Sequence, residues 1–315
     1  MWMPLLFLLW SGKNMAEQKQ FHYGGQAVME GVMIRSRKYT VTAVRKPDGS
    51  IKVDKQPLSS LYTGKLRNLP LFRGIIVIIE SLVLGMKTLF YSANEALEEE
   101  GEELKGWWMW LMILVSLAFA VALFFLTPLF LTKLLDIQGS FLFTFVEGLI
   151  RIAIFILYLW LVSLMPDIKR VFAYHGAEHK TVNGFEAGVP LEPDTLKNYS
   201  KAHIRCGGSF LFAVLIVAIL VFSLVGQQDL WVLVLSRVLL FPVISALGYE
   251  VIYFGARHAN NIFVKIILAP GLWVQSITTR HPDNGQLEVA IAAMKAAVEA
   301  DNETSIIPPA EVKVV

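Results

Sequence analysis

The sequence predicts an α-helical polytopic membrane protein: a four-helix transmembrane bundle plus interfacial helices and a small cytoplasmic α+β portion. Three observations carry that expectation. The 315 residues are 55% hydrophobic and only 17% charged, with a mean hydropathy of +0.54, too apolar a balance for a soluble globular domain. The charges are segregated into short connecting stretches between long uncharged runs. Four of those runs reach the roughly 17–25 residues that a hydrocarbon core requires.

Residues 1–21 read as an N-terminal extension. MWMPLLFLLW has no basic flank and is too short to cross a bilayer, while Met15 opens a more ordinary start. Residues 1–14 are therefore expected to be an optional extension or a weak anchor. Residues 22–70 form a cytoplasmic N-terminal region. Within it Tyr39–Arg45 and Ser50–Lys55 alternate and are rich in β-branched residues, and Pro47-Asp48-Gly49 supplies turn chemistry, which predicts a β-hairpin.

Residues 71–106 are expected to hold an interfacial helix and an acidic turn. Leu71–Ser92 is long and apolar enough for a fifth crossing, yet Arg73, Glu80 and Lys87 recur every seven residues with Ser81 and Thr88 beside them. Such spacing draws a polar stripe down one helix face, which is costly against lipid. An interfacial helix, or one packed on the bundle with its stripe toward water, is the expectation. The run EALEEEGEE that follows reads as solvated.

Residues 107–165 and 209–254 supply two transmembrane hairpins, from the spans Trp107–Leu131, Phe141–Met165, Ser209–Val225 and Leu230–Phe254. Trp107, Trp108 and Trp110 mark an interfacial belt. The connection between the hairpins, 166–208, carries Lys169, Arg170, Lys180, Lys197, Lys201 and Arg205, whereas the short turns carry little beyond Lys133. The positive-inside bias puts this connection in the cytoplasm, and four crossings then put both termini there. Residues 255–315 complete a cytoplasmic C-terminal region. There PGLWVQSITTRHPD reads as an interfacial turn followed by a short strand or helix. An amphipathic helix capped by Asp283 or Asn284 comes next, then a loose tail, Ile306–Val315.

The chemistry concentrates in the 166–208 connection. His175 and His179 are four apart, so on a helix both imidazoles face one side and can grip a single metal ion. With Glu178 they spell H-x-x-E-H, a metallohydrolase pattern in which two histidines hold zinc and the glutamate is the general base. His203 and Cys206 lie three apart in HIRCGGSF, and both suit zinc or another divalent metal. Four potential ligands thus share one connection in a chain with six histidines and one cysteine. If all four bind, coordination closes and the site is structural; with three, a position stays open for chemistry. Glu250 falls near the cytoplasmic end of its span and has three open roles: ligand, acid/base group, or partner of Arg257. Glu147, Arg151 and Arg237 sit within the spans and are expected to form an intramembrane ion cluster. The net charge of +2 is uninformative; no basic stripe points to nucleic acid and no phosphate loop to a nucleotide, so no nucleic-acid partner is expected.

Several stretches, GGQAVMEGVMIR (24–35), YHGAEHKTVNGFEAG (174–188), HIRCGGSF (203–210), PVISALGYEVI (242–252) and PGLWVQSITTRHPD (270–283), resemble the YqhQ-like bacterial membrane proteins. That family is of unknown function and is described as predicted metal-dependent enzymes. The resemblance implies an inner-membrane protein with a cytoplasmic portion and a metal site, and it singles out Gly24, Gly25, Glu30 and Arg35; the residues themselves read as a strand-entry turn with a solvated Glu30, the alternative being a Glu30 that faces the histidines as a further ligand or acid/base group. Ile204 and Gly208 stand where the family pattern has proline and threonine, so any chemistry of that threonine hydroxyl is missing here.

Two functions follow as expectations. The first is a metal-dependent, hydrolytic enzyme at the bilayer surface, with Glu178 catalytic, zinc or another divalent metal as cofactor, and a lipid-linked substrate or another membrane protein as partner. The alternative is a scaffold or assembly factor whose metal staples the cytoplasmic portion. A transporter built on Glu147, Arg151 and Arg237 is disfavoured by the absence of repeats or broken helices.

Overall fold

The computed structural model describes residues 21–96, 106–226, 229–258 and 261–306. Nearly all of the N-terminal extension, most of the acidic run and the C-terminal tail lie outside the described residues.

Four strands, β1 (Gly24–Val28), β2 (Gly31–Arg35), β3 (Tyr39–Arg45) and β4 (Ile51–Pro57), form one antiparallel sheet in the order β1-β2-β3-β4. The β3–β4 hairpin anticipated from Pro47-Asp48-Gly49 pairs Arg45 with Ile51, and Gly49 takes the left-handed conformation at φ +83°. The β1–β2 turn is tighter, Met29-Glu30, with Glu30 at φ +51°. A single turn α1 (Ser60–Thr63) and a 3-10 turn (Lys65–Asn68) lead into α2 (Phe72–Ala96).

Then follow α3 (Gly106–Val121), a π-helical turn (Ala122–Leu126), α4 (Thr127–Leu134), α5 (Ser140–Val162), α6 (Pro166–Glu186), α7 (Pro193–Leu196), α8 (Gly207–Val225), α9 (Leu230–Arg257), α10 (Ile262–Thr278) and α11 (Asn284–Ile306). Five helices are long and apolar enough to cross a membrane: α2, α3–α4 taken together, α5, α8 and α9. Their outward faces leave Leu117, Phe130, Phe141, Leu220 and Trp231 bare. Apolar surface on that scale is not carried in water, so the chain is a multi-pass membrane protein.

The sheet's alternation assigns its two faces to different helices. Val32, Ile34, Val41 and Ala43 pack into a core with Tyr174 and Ala177 of α6 and Leu287, Ala290 and Met294 of α11. α11 starts with a reciprocal cap, Gln286 N–H donating to Asp283 Oδ1 (2.8 Å) and Asp283 N–H to Gln286 Oε1 (3.0 Å).

The opposite face receives α2. Glu80, 4% exposed, is bound by Arg35 (2.8 Å) and Arg67. Gly85 rests on Gln26, Ser92 Oγ accepts the Met29 N–H (3.1 Å), and Glu95 pairs with Lys52 (2.7 Å). The first turns of α2 instead meet α9, where Gly74 abuts Ala246 and Arg73 binds Glu250. The sheet therefore accounts for Glu80, while Arg73 is taken by α9. Lys87 stays exposed.

Helices α4, α5, α8 and α9 pack in sequence side by side. Between them Glu147 bridges two guanidiniums, accepting from Arg151 on Oε1 and from Arg237 on Oε2 (2.6 Å). The π-helical turn leaves the Phe124 carbonyl to accept from Arg151 Nε at 2.9 Å. Pro270 and Gly271, expected in an interfacial turn, lie inside α10. The apolar run from Ile262 and the packing of Gly271 on Ser209 of α8 outweigh the one hydrogen bond that proline forgoes.

Candidate metal centre

α6 opens on Pro166, whose fixed φ suits a first helical turn, with Asp167 at the positive end of the helix dipole. It runs unbroken to Glu186, so His175 and His179 project from one side with ring centroids 4.4 Å apart. Lys180 and Asn183 continue that face and hold the segment 197–202 by its backbone. Lys180 Nζ donates to the carbonyls of Lys197 (2.6 Å) and Tyr199, and Asn183 Nδ2 to those of Ser200 (2.8 Å) and Ala202 (3.1 Å). The C-terminal segment crosses the same face so closely that a Cβ on Gly176 would lie 1.9 Å from Arg280 O. Cys206 arrives as the N-cap of α8, its Sγ accepting the Gly208 N–H at 3.3 Å.

Each imidazole is oriented by a carbonyl: His175 Nδ1 is 2.9 Å from Thr278 O and His179 Nδ1 is 2.6 Å from Lys201 O. A carbonyl only accepts, so both rings carry a proton on Nδ1. This is the outer-shell arrangement that presents Nε2 to a metal. Cys206 Sγ lies 3.3 Å from His175 Nε2, and the donor atoms of His175, His179 and Cys206 all fall within 4.8 Å of one another. Bonds of about 2.0–2.3 Å in a tetrahedral zinc site put donors about 3.3–3.8 Å apart, so a small closing movement would let the three share one ion.

Glu178 Oε2 stands 3.5 Å from His179 Nε2, and both residues are buried, at 4% and 2% exposure. A carboxylate oxygen facing an imidazole lone pair in a dry site is repulsive unless a proton or a cation lies between them. Gly25 makes room for Glu178: a Cβ there would meet Glu178 Cγ at 2.8 Å.

The other singled-out residues lie at measured distances from this group. The His203 ring is 5.7 Å from that of His179, but its Nε2 faces Glu186 at 3.8 Å, and its backbone is pinned by Gln275 (2.9 and 2.8 Å). Burial pushes the Glu186 carboxyl up, but hydrogen bonds from His203 and His22 and the Arg205 guanidinium hold it well below the usual carboxylate range. Glu30 pairs with Arg170 and accepts from the Tyr174 hydroxyl (3.2 Å). Glu250 pairs with Arg73 and accepts from Leu71 N–H (3.1 Å), while Arg257 stacks over Tyr253.

Sequence reasoning missed Lys180, Lys201, Glu186 and Gln275. Asn183, four residues after His179, could have been found as the continuation of the His175–His179 face at helical spacing. Lys201 also donates to Thr279 O (2.7 Å). Burial lowers Lys180 and Lys201, and each is lowered further by a neighbouring cation, Lys201 and Arg280 respectively; burial and both lysines lower His281. Among the described residues no carboxylate lies within salt-bridge distance of Lys180, Lys201 or Arg280; the Lys180 ammonium is buried on the carbonyls of Lys197 and Tyr199, and Lys201 and Arg280 are half-buried.

Residues 69–300 match the family model described as a protein of unknown function, DUF1385. The chain is also 37% identical, over 287 residues, to the uncharacterized protein YqhQ of Bacillus subtilis (strain 168), covering 85% of this chain and 90% of that one. No solved structure matches it. The chain belongs to the DUF1385 family and is YqhQ-like.

Proposed function

We propose that the protein is a metal-dependent hydrolytic enzyme of the bacterial inner membrane, with zinc or another divalent metal held by His175, His179 and Cys206 at the cytoplasmic face. The observation that carries this reading is the convergence of the His175, His179 and Cys206 donor atoms within 4.8 Å of one another, beside Glu178 and with both imidazoles fixed by carbonyls. A divalent ion there supplies Lewis acidity and a lowered pKa for a bound water. Glu178, at the edge of the donor group, serves as general base, and His203 with Glu186 forms an outer pair that positions the His179 ring.

Four helices, α3–α4, α5, α8 and α9, cross the bilayer in this reading. α2 lies at the cytoplasmic surface, because Glu80, Ser92 and Glu95 rest on the sheet. The apolar face of α10, with Phe263, Ile266, Ile267 and Trp273 exposed, beds in the interface and ends at the site. Lys201 and Arg280, on the two segments that cross the face of the site, then favour an anionic, lipid-linked substrate.

One observation favours a second reading. Glu178 lies 3.5 Å from His179 Nε2, just outside the three-donor group, and a further approach would make it a fourth ligand, closing the site and making the metal a staple for a scaffold or assembly factor. Glu178→Gln separates the two. The enzyme reading expects the variant to keep its metal and lose hydrolysis of anionic lipid-linked substrates. The scaffold reading expects metal affinity to fall with no activity to lose.

A further inference from the structure

Three threonines within the helices return their hydroxyls to the carbonyl four residues earlier: Thr88 to Leu84 (2.8 Å), Thr132 to Pro128 (2.7 Å) and Thr144 to Ser140 (3.1 Å). Thr278, the last residue of α10, does not. It is 8% exposed, and its Oγ1 is buried without a partner among the described residues. An unpaired buried hydroxyl is costly, so the direction it faces is informative. It faces the start of α8, where a Cβ on Gly208 would lie 3.8 Å from Thr278 Oγ1 and 3.7 Å from Cys206 Sγ.

That helix end supplies donors. α8 is 19 residues long, and the first N–H groups of a helix have no partner within it. Gly208 N–H is taken by Cys206 Sγ (3.3 Å), but Gly207 N–H meets no acceptor among the described residues. Gly207 is exposed and a Cβ there would meet nothing within 4 Å, so the surface over the two glycines is an open niche. The helix dipole favours negative charge at this point. Arg280, two residues after Thr278, adds a cation whose Nε is also buried without a partner. The niche adjoins the metal donors, because Cys206 Sγ is 3.3 Å from His175 Nε2 and the Thr278 carbonyl holds the same imidazole.

We propose that this niche binds the phosphate group of a membrane lipid. Gly207 N–H and the Thr278 hydroxyl come from different helices, and a tetrahedral oxyanion offers each its own oxygen. Depth favours a lipid as the source. α8 is long and apolar enough to span and starts at Gly207, while α10, with Ile266, Ile267 and Trp273 exposed, ends at Thr278. The two ends meet where a headgroup sits. That the bound lipid is a substrate rests on the proposed function; the binding itself does not.

The test is thermal unfolding of the full chain in lipid-free detergent, titrated with dioctanoyl phosphatidic acid against dioctanoylglycerol, which has the same chains and no phosphate. A parallel titration sets sodium phosphate against sodium chloride at constant ionic strength, and all are run after chelator treatment and after zinc loading. The wild type should show a saturable rise in Tm with phosphatidic acid, in either metal state, and none with the diacylglycerol. Thr278→Val removes only an unpaired hydroxyl. It should be at least as stable as the wild type without ligand, with an apparent affinity for phosphatidic acid lower by about tenfold or more. Gly208→Ala, whose methyl fits without a clash but fills the niche, should weaken binding likewise. A wild type indifferent to phosphatidic acid overturns the proposal, and so do two variants that keep the full response; sodium phosphate acting where phosphatidic acid does not would overturn the lipid as the source. Zinc binding without the lipid response refutes this inference and spares the metal centre, and the lipid response without zinc binding does the reverse.

Discussion

Gly176→Ala is the sharpest perturbation of the metal centre, because it alters no donor atom. The added methyl would lie 1.9 Å from Arg280 O and 3.1 Å from the carbonyl carbon. A carbon–oxygen contact needs about 3.2 Å, so the segment at 278–282 must lift by more than 1 Å. That motion breaks the Arg280 N–H to Phe172 O bond (2.8 Å) and draws Thr278 O from His175 Nδ1 (2.9 Å). Two hydrogen bonds at about 1 kcal/mol each, with overpacking of about 1–2 kcal/mol, give a loss of roughly 3–4 kcal/mol. The assay is thermal or denaturant unfolding of the detergent-purified protein beside its metal content. Gly24→Ala, whose Cβ meets nothing within 4 Å, is the control and should stay within about 0.5 kcal/mol. A Gly176→Ala protein with wild-type stability and metal content would refute the claim that this close crossing orients the site.

Two further outcomes are expected. Lys87→Cys should react with a membrane-impermeant maleimide from the cytoplasmic side of inside-out vesicles, with the wild type and its buried Cys206 as unlabelled background; protection from both sides would make α2 a fifth span. The depressed carboxyl of Glu186 contributes stability that is complete above the unfolded carboxylate value of about 4.3 and is lost as pH falls through its lower folded value. Melting temperatures from pH 6 downward should therefore fall more steeply for the wild type than for Glu186→Gln, and parallel profiles would remove Glu186 from the network.

The apolar helices were legible because a bilayer demands one long apolar run per crossing, whatever the tertiary structure. The polar row of α2 was legible too, but not its purpose, since Arg35 reaches Glu80 from a sheet only half visible in the sequence and Arg67 from the 3-10 turn before the helix. β1 and β2 escaped because their turn is Met29-Glu30, with Glu30 in a left-handed conformation that a glycine or asparagine would have signalled. At the site, the scarcity and spacing of His175, His179 and Cys206 drew the eye to residues that the fold brings together. The carbonyls that orient the rings, Thr278 and Lys201, carry no side-chain signature and come from segments remote in sequence. Glu30 and Glu250 show the converse: a carboxylate at a suitable helix end or turn has many partners open to it, and here arginines on other elements claim both.

The central claim is that His175, His179 and Cys206 bind a metal ion. Elemental analysis of the detergent-purified full chain, without chelator and after adding zinc and washing, tests it most directly. The account predicts about one zinc per chain in the wild type, lost in His179→Ala and in Cys206→Ala. A wild type that retains no zinc or other divalent metal after loading would contradict it.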